Sequence, residues 1–361
     1  MPSSARAAAA AASGVLSFFM ASDTHLGHDV ACPGCPGNVT TSLYLNTQFV
    51  LAANALSLNE SAAWPAVLGG GPVLPPRALV ISGDLVDNGY TESYEWRNWT
   101  RLFGLDGTDG LLTFPVYEGR GNHDGGNSSD PVEPHFVASE IVARNQLRAG
   151  TPAFNLTGVS SETGLHYSWA WAAGPGCTAH FVMLNEYAGH TCDGCSPAPS
   201  CFYGPTCYTG WTYPEDSLGF LEAVLPRAVG ASGSPVFVIQ HYCFDGYSNA
   251  WYSAAQRLEL YRTLEAYNVA GVICGHTHSA AHYYWNGTDT GDTPGPGWID
   301  VYNVPSTQKE SGTTGAPEPP EWLVGEVAAA GDGTACVRVA HRVGGGWGTA
   351  VLASKTMSCS A

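Results

Sequence analysis

Five short segments of this chain share one layout: an apolar run, then at once a tight polar group flanked by glycine. They are SDTHLGHD (22–29), SGDLVDNG (82–89), GRGNHDGG (119–126), QHYCFDG (240–246) and GHTH (275–278). Each sets Asp, Asn or His where a strand would end, and the glycines permit tight turns and close backbone approach. Taken singly they say little, since a lone Gly-Asp is a hairpin signal and a lone His after a strand is usually just hydrogen-bonded. Brought to one sheet edge, they would assemble Asp23, His25, Asp84, Asn122, His123, His241, His276 and His278. Imidazole nitrogen with carboxylate and amide oxygen suits Zn, Fe, Mn, Co or Ni and needs no thiolate. These side chains exceed what one ion uses. Two ions about 3.5–4 Å apart, sharing a carboxylate, would employ them.

The charge balance agrees with a metal-based site. The chain has 361 residues and a formal net charge of −17, with only 14 Lys and Arg. No basic run exists to neutralise a nucleic-acid polymer, so that partner is not expected. An anionic substrate must be held by something other than Lys and Arg, and two divalent cations can hold a phosphate.

In this order, D-x-H, G-D-x-x-D, G-N-H-D, a single His and G-H-x-H resemble the calcineurin-like metallophosphoesterase superfamily over roughly residues 15–305. The resemblance implies an α/β fold, a four-layer α/β/β/α sandwich of two mixed sheets with outer helices. It implies that Asp23, His25 and His278 bind one metal, that Asn122, His241 and His276 bind the other, and that Asp84 bridges them. It casts His123 as the group that contacts the phosphate or protonates the leaving group, oriented by Asp124. Some purple relatives carry a Tyr ligand near the G-D motif in place of the first-motif His. His25 is present here, so no Tyr–iron colour is expected. The cofactors would be two divalent or trivalent ions (Zn, Fe, Mn or similar). A water between two such cations ionises near neutral pH and could attack phosphorus in line.

The expected activity is therefore hydrolysis of a small phosphate ester by a metal-bridging hydroxide. The scarcity of Lys and Arg leans toward diesters or mixed mono- and diester specificity. The alternatives are a phosphomonoesterase, a catalytically silent binding protein on the same fold, and a metal-dependent hydrolase of another ester or amide. Near the motifs, His28, Arg120, Tyr242 and Asp245 are candidate substrate contacts. Cys243 reads as disulfide or packing rather than as a nucleophile, and His282 as the start of the next strand. LDGTDG (105–110) lacks the spacing and terminal Glu of a calcium loop and reads as a turn.

The elements that must position these groups can be traced along the chain. Strands are expected at 14–22, 77–84, 114–124 (the strand with its exit loop), 166–172, 179–187, 235–240 and 269–275. Helices are expected at 44–63, 93–103, 133–147, 215–229 and 253–267. AHYYWNG, WIDVYNV, WLVGEVAA and ACVRVAHRV follow as further strands, with a Pro/Gly-rich loop at 309–321. A β-α-β series with added strands indicates a layered α/β structure whose strand ends carry the site. Residues 13–361 are expected to form one domain with a Cys-rich insertion at about 189–213, and residues 1–12 a disordered tail or signal remnant.

The 11 cysteines include CPGC (32–35) and CDGCSPAPSCFYGPTC (192–207). Their Pro/Gly/Ser context favours disulfide staples over zinc knuckles. The odd count leaves a thiol over, and Cys274, inside an apolar run, is nominated as the buried free one. Six Asn lie in N-x-S/T sequons: Asn38, Asn59, Asn98, Asn127, Asn155 and Asn286. Together with the cysteines they suggest a secreted, N-glycosylated protein. No apolar stretch approaches the roughly 20 residues of a membrane-spanning helix.

Overall fold

A computed structural model describes residues 14–27, 41–59, 61–89, 93–125, 136–190, 216–250, 252–308 and 318–359. The CPGC segment, His28, Asp29 and the run CDGCSPAPSCFYGPTC lie outside the described residues.

Two mixed sheets form the frame. The first is built on three parallel strands, β1 (Val15–Ala21), β2 (Leu79–Ile81) and β3 (Val116–Glu118). On its other side β12 (Glu321–Ala329), β13 (Thr334–Val343) and β14 (Gly346–Ser358) add an antiparallel meander, in the order β14-β13-β12-β1-β2-β3. The second sheet runs β10-β9-β11-β8-β7-β6-β5-β4. Its centre is parallel: β6 (Cys177–Met183), β7 (Val236–Ile239), β8 (Val269–Cys274) and β11 (Ile299–Asn303). β4 (Leu156–Val159), β5 (Tyr167–Gly174), β9 (Ala281–Trp285) and β10 (Thr290–Gly291) pair antiparallel at its edges.

Both faces of the central strands are buried, which is why they read as unbroken apolar runs. Along β1, Phe18 and Met20 point between the sheets, where they meet Phe181, Phe237 and Ile273. Phe19 and Ala21 point outward to the helices α1 (Thr41–Leu58) and α2 (Ser93–Phe103). A short turn α3 (Asn122–Gly125) and then α4 (Phe136–Ala149) follow β3. On the far face, α5 (Ser217–Ala228) and α6 (Ala254–Leu264) cover Val236, Val238 and Val272 with Leu221, Leu225, Leu260 and Leu264. The layers are thus helix, sheet, sheet, helix, as expected. Between the sheets, Phe18 meets Phe181 edge-on at 5.2 Å, and Trp169 stacks on Phe181 at 5.2 Å. Trp169 and Trp171 of β5 therefore belong to the core.

Some boundaries depart from the sequence reading. The first helix spans Thr41–Leu58 and stops before the Pro65 segment. β4, β10 and β14 were not anticipated. β4 is short and carries a register shift at Leu156/Gly158, while β14 is an edge strand of mixed small and polar residues that shows little apolar alternation. LDGTDG is a turn: Asp109 Oδ1 accepts from the Leu105 and Asp106 amides.

Cys274 is corrected. It is bonded to Cys243, and a second disulfide joins Cys177 to Cys359. Among the described residues the free cysteine is Cys336, near Ser354. A strand's apolar run shows that Cys274 is buried, but pairing depends on which neighbouring loop reaches it. No described helix is long and apolar enough to cross a membrane.

Candidate metal centre

The carboxyl ends of β1, β2, β3, β7 and β8 converge on one edge of the sandwich, and all five motifs meet there. Their backbone is unusual. Eight described non-glycine residues have positive φ, and five of them are Asp23, His25, Asp84, His276 and His278. Such conformations cost of order 1–3 kcal/mol each and persist where the surroundings impose them. Close approach supplies the imposition. A Cβ on Gly121 would stand 2.2 Å from Asp84 Oδ1, and one on Gly275 1.9 Å from Ser22 Oγ, so both positions require glycine.

Backbone bonds knit the first three loops together. Asp23 N–H donates to the Gly83 carbonyl and His25 N–H to the Asp84 carbonyl, both at 3.0 Å. His123 N–H donates to Asp84 Oδ1 at 2.8 Å, and His276 N–H reaches across sheets to Asp23 Oδ2 at 3.0 Å. Asp124 is a hub: Oδ1 accepts from the Leu85 and Val86 amides (2.8 and 3.1 Å) and Oδ2 from the Gly121 amide (2.8 Å). Burial and the Asp84 charge push Asp124 up to about 7, against the pull of the Gly121 and Val86 amides.

Asp124 therefore does not orient His123. That ring leans on Asp87, its Nδ1 lying 2.8 Å from the Asp87 carbonyl and 3.7 Å from Asp87 Oδ1. A carbonyl only accepts, so Nδ1 carries a hydrogen and is the donor of this bond. Asp87 also stands 3.6 Å from His25 Nδ1. It was in plain view as the last Asp of SGDLVD. A carboxylate beside His in sequence, as in NHDG, need not face that His in a tight turn.

Three groups of side chains bring one ligand atom each within 4.8 Å of one another: Asp23 with His25 and His278; His25 with Asp84 and His123; Asp84 with His241 and His276. Asp84 belongs to two of them. Its Oδ2 is 3.6 Å from His25 Nε2 and 3.1 Å from His241 Nε2. Asp23 Oδ1 is 3.4 Å from His278 Nε2, which in turn is 3.2 Å from His25 Nε2. Asn122 Oδ1 is buried and accepts no hydrogen bond among the described residues. A buried carbonyl left that way is costly unless a cation meets it. The donor set, imidazoles with carboxylates and one amide oxygen, fits divalent metal ions.

The electrostatics are those of a cation site. Burial raises Asp23, but hydrogen bonds from His25 and His278 and the charge of His241 outweigh it and hold the carboxyl well below its usual range. Asp84 is lowered against burial by the charge and hydrogen bond of His241. Burial lowers His241, yet Asp84 and Asp23 carry it up to about 9. His276 is taken down to about 3 by burial and by the charge of His241. The two carboxylates thus demand positive charge in their midst.

Of the remaining candidates, Arg120 is 2% exposed, with its guanidinium 3.6 Å from Glu186 and 3.4 Å from Asn185, so it is closed off from solvent. Tyr242 is buried with its ring 4.4 Å from that of His276. Asp245 accepts from the Ser248 amide, shaping the loop after β7. Exposed Tyr247 rests on His276 with ring centroids 5.1 Å apart. His282 belongs elsewhere, bonded to Asp300 at 2.9 Å.

The sequence reading passed over Glu186. Its carbonyl accepts from the Tyr242 amide at 2.9 Å and from the His241 amide, and its own amide donates to the Arg120 carbonyl. LNEY follows β6 as the other motifs follow their strands, and that repetition was the available signal.

Several solved structures are similar in fold. One is GAP50, the anchor in the inner membrane complex of Plasmodium: 12% identical, TM-score 0.49, covering 96% of this chain and 90% of that one. Purple acid phosphatase PPD1 from yellow lupin (Lupinus luteus) seeds is 13% identical at TM-score 0.47, covering 96% of this chain and 54% of that one. A putative 5'-nucleotidase from Staphylococcus aureus is 14% identical at TM-score 0.41, covering 96% and 53%. The chain spans about half the length of these last two. A search of curated proteins finds no match. The sequence profile of the calcineurin-like phosphoesterases matches residues 17–280, a span that includes all five motifs. The chain belongs to the calcineurin-like phosphoesterase family.

Proposed function

We propose that the protein hydrolyses small phosphate esters with two metal ions held around Asp84. The observation that carries this reading is the Asp84 carboxylate itself, shared between two clusters and flanked by His25 at 3.6 Å and His241 at 3.1 Å. Asp23, His25 and His278 would hold one ion, and Asn122, His241 and His276 the other. When bound, two such cations supply an ionised water as nucleophile and charge to offset the phosphoryl oxygens.

The chain's own groups do the rest. Asp84 fixes the spacing between the two subsites. His123 is the general acid: with Nδ1 committed to the Asp87 carbonyl, its Nε2 delivers a proton to the departing oxygen. The His123 side chain is 29% exposed, so a substrate can reach it. Tyr247, exposed beside His276, offers an aromatic surface to the organic part of the ester. Among the described residues Arg120 is tied up with Glu186 and Lys355 with Asp300, so these offer little beyond the ions to hold a dianion. That favours diesters or mixed mono- and diester specificity. The two disulfides and the sequons support a secreted, glycosylated protein.

The test is a panel of aryl phosphate mono- and diesters assayed with added Mn²⁺ or Zn²⁺. Turnover of diesters at least equal to monoesters is expected. Absence of turnover with every ester and both metals would refute the activity. A strong preference for monoesters would refute the diester assignment alone.

A further inference from the structure

His241 and His276 stand on different loops, after β7 and after β8, yet both must meet one ion if the proposed function holds. Each lies two residues from a half-cystine. Cys243 and Cys274 are bonded to each other, and both are completely buried. A short covalent path thus runs from His241 through Tyr242 and Cys243 across the disulfide to Cys274, Gly275 and His276, and a hydrogen bond between its two arms closes a small ring. In that bond the Gly275 amide donates to the His241 carbonyl at 2.9 Å. The Tyr242 ring, also a member, meets the His276 imidazole edge-on at 4.4 Å. His276 takes a φ of +70°, which its surroundings must impose.

We infer that the Cys243–Cys274 disulfide is a positioning device for the His241/His276 metal subsite. It sets the separation and tilt of the two imidazoles before any ion arrives. This inference rests on the metal reading above. Supporting groups around ligands typically govern metal affinity by 10–100-fold, and a covalent tie between two ligand loops is a strong form of such support. The other disulfide supplies the contrast. Cys177 opens β6, at the end of that strand away from the site, and Cys359 follows β14.

The test loads the full chain with Mn²⁺, removes excess by gel filtration and counts ions. The wild type should retain two per chain. The Cys243→Ala/Cys274→Ala variant should retain the ion of Asp23, His25 and His278 and bind the second at least about tenfold more weakly. The Cys177→Ser/Cys359→Ser variant should keep two while melting at a lower temperature. Two ions of wild-type affinity in the Cys243/Cys274 variant would overturn the inference. A wild type that binds neither Mn²⁺ nor Zn²⁺ would instead remove the metal reading beneath it.

Should the double alanine variant not fold, Mn²⁺-loaded wild type is treated with a water-soluble phosphine, in urea raised until alkylation detects both thiols. The phosphine becomes its oxide with oxygen from water, and each sulfur gains one electron and one proton. A matched sample receives urea alone. Loss of one Mn²⁺ per chain in step with those thiols is expected. Retention of both ions would overturn the proposal.

Discussion

On the side of the first sheet, the loops bearing Asp23, His25, Asp84 and Asn122 are bound to one another by hydrogen bonds. The Asp124 carboxylate gathers three amides, and the amides of Asp23 and His25 reach carbonyls of the neighbouring loop. On the side of the second sheet, the loops of His241 and His276 are joined by a disulfide and by packed rings. Strand spacing does not make the difference, since β7 and β8 are adjacent just as β1, β2 and β3 are. The loops after β1 and β2 share several backbone bonds, whereas among the described residues the loops after β7 and β8 share one, from the Gly275 amide to the His241 carbonyl, beside the disulfide. Both halves deliver side chains to the same carboxylate, Asp84.

Breaking that shared element should have the largest effect. Asp84→Ala removes the group common to two clusters and should abolish turnover of an aryl phosphate ester while lowering bound metal from two ions to one or none. Wild-type metal content measured by elemental analysis would count against the shared role. Next, His123→Ala should slow turnover by roughly 10²–10⁴-fold while both ions remain. A rate near that of the wild type would remove His123 from proton transfer.

Smaller effects separate holding from chemistry. Asp124→Ala leaves three buried amides without their acceptor and should cost about 3 kcal/mol of stability, read by urea unfolding. A cost under about 0.5 kcal/mol would show that the first sheet's loops do not depend on this hub. Removing Cys177–Cys359 should lower stability by about 2–5 kcal/mol with kcat nearly unchanged, because that bridge constrains a separation of 182 residues at the far end. The smallest effect belongs to Tyr247→Ala. It should raise KM for aryl esters a few-fold and leave small alkyl esters unaffected, and equal effects on both would deny it a substrate contact.

The same contrast explains what could be read from the sequence. The central strands and the five motif loops were legible because burial on both faces leaves continuous apolar runs and because Asp, His and Gly stand at their ends. The layered fold followed from the resemblance those motifs carry. β14 was not legible, since an edge strand on a half-solvated face needs little apolar alternation. The resemblance cast Asp124 as the group that orients His123, whereas the tight turn directs its carboxylate to the Gly121, Leu85 and Val86 amides. Asp87, three residues after Asp84, takes the His123 ring instead. The Cys243–Cys274 pairing was hidden because a sequence separation of 31 says nothing about which loops lie side by side.

The central claim, two ions around one carboxylate, is tested most directly by a crystal of the protein grown with Mn²⁺ and measured for anomalous scattering. The account predicts two peaks about 3.5–4 Å apart on either side of Asp84, one against Asp23, His25 and His278 and the other against Asn122, His241 and His276. A single peak, or a pair that Asp84 does not touch, would contradict it.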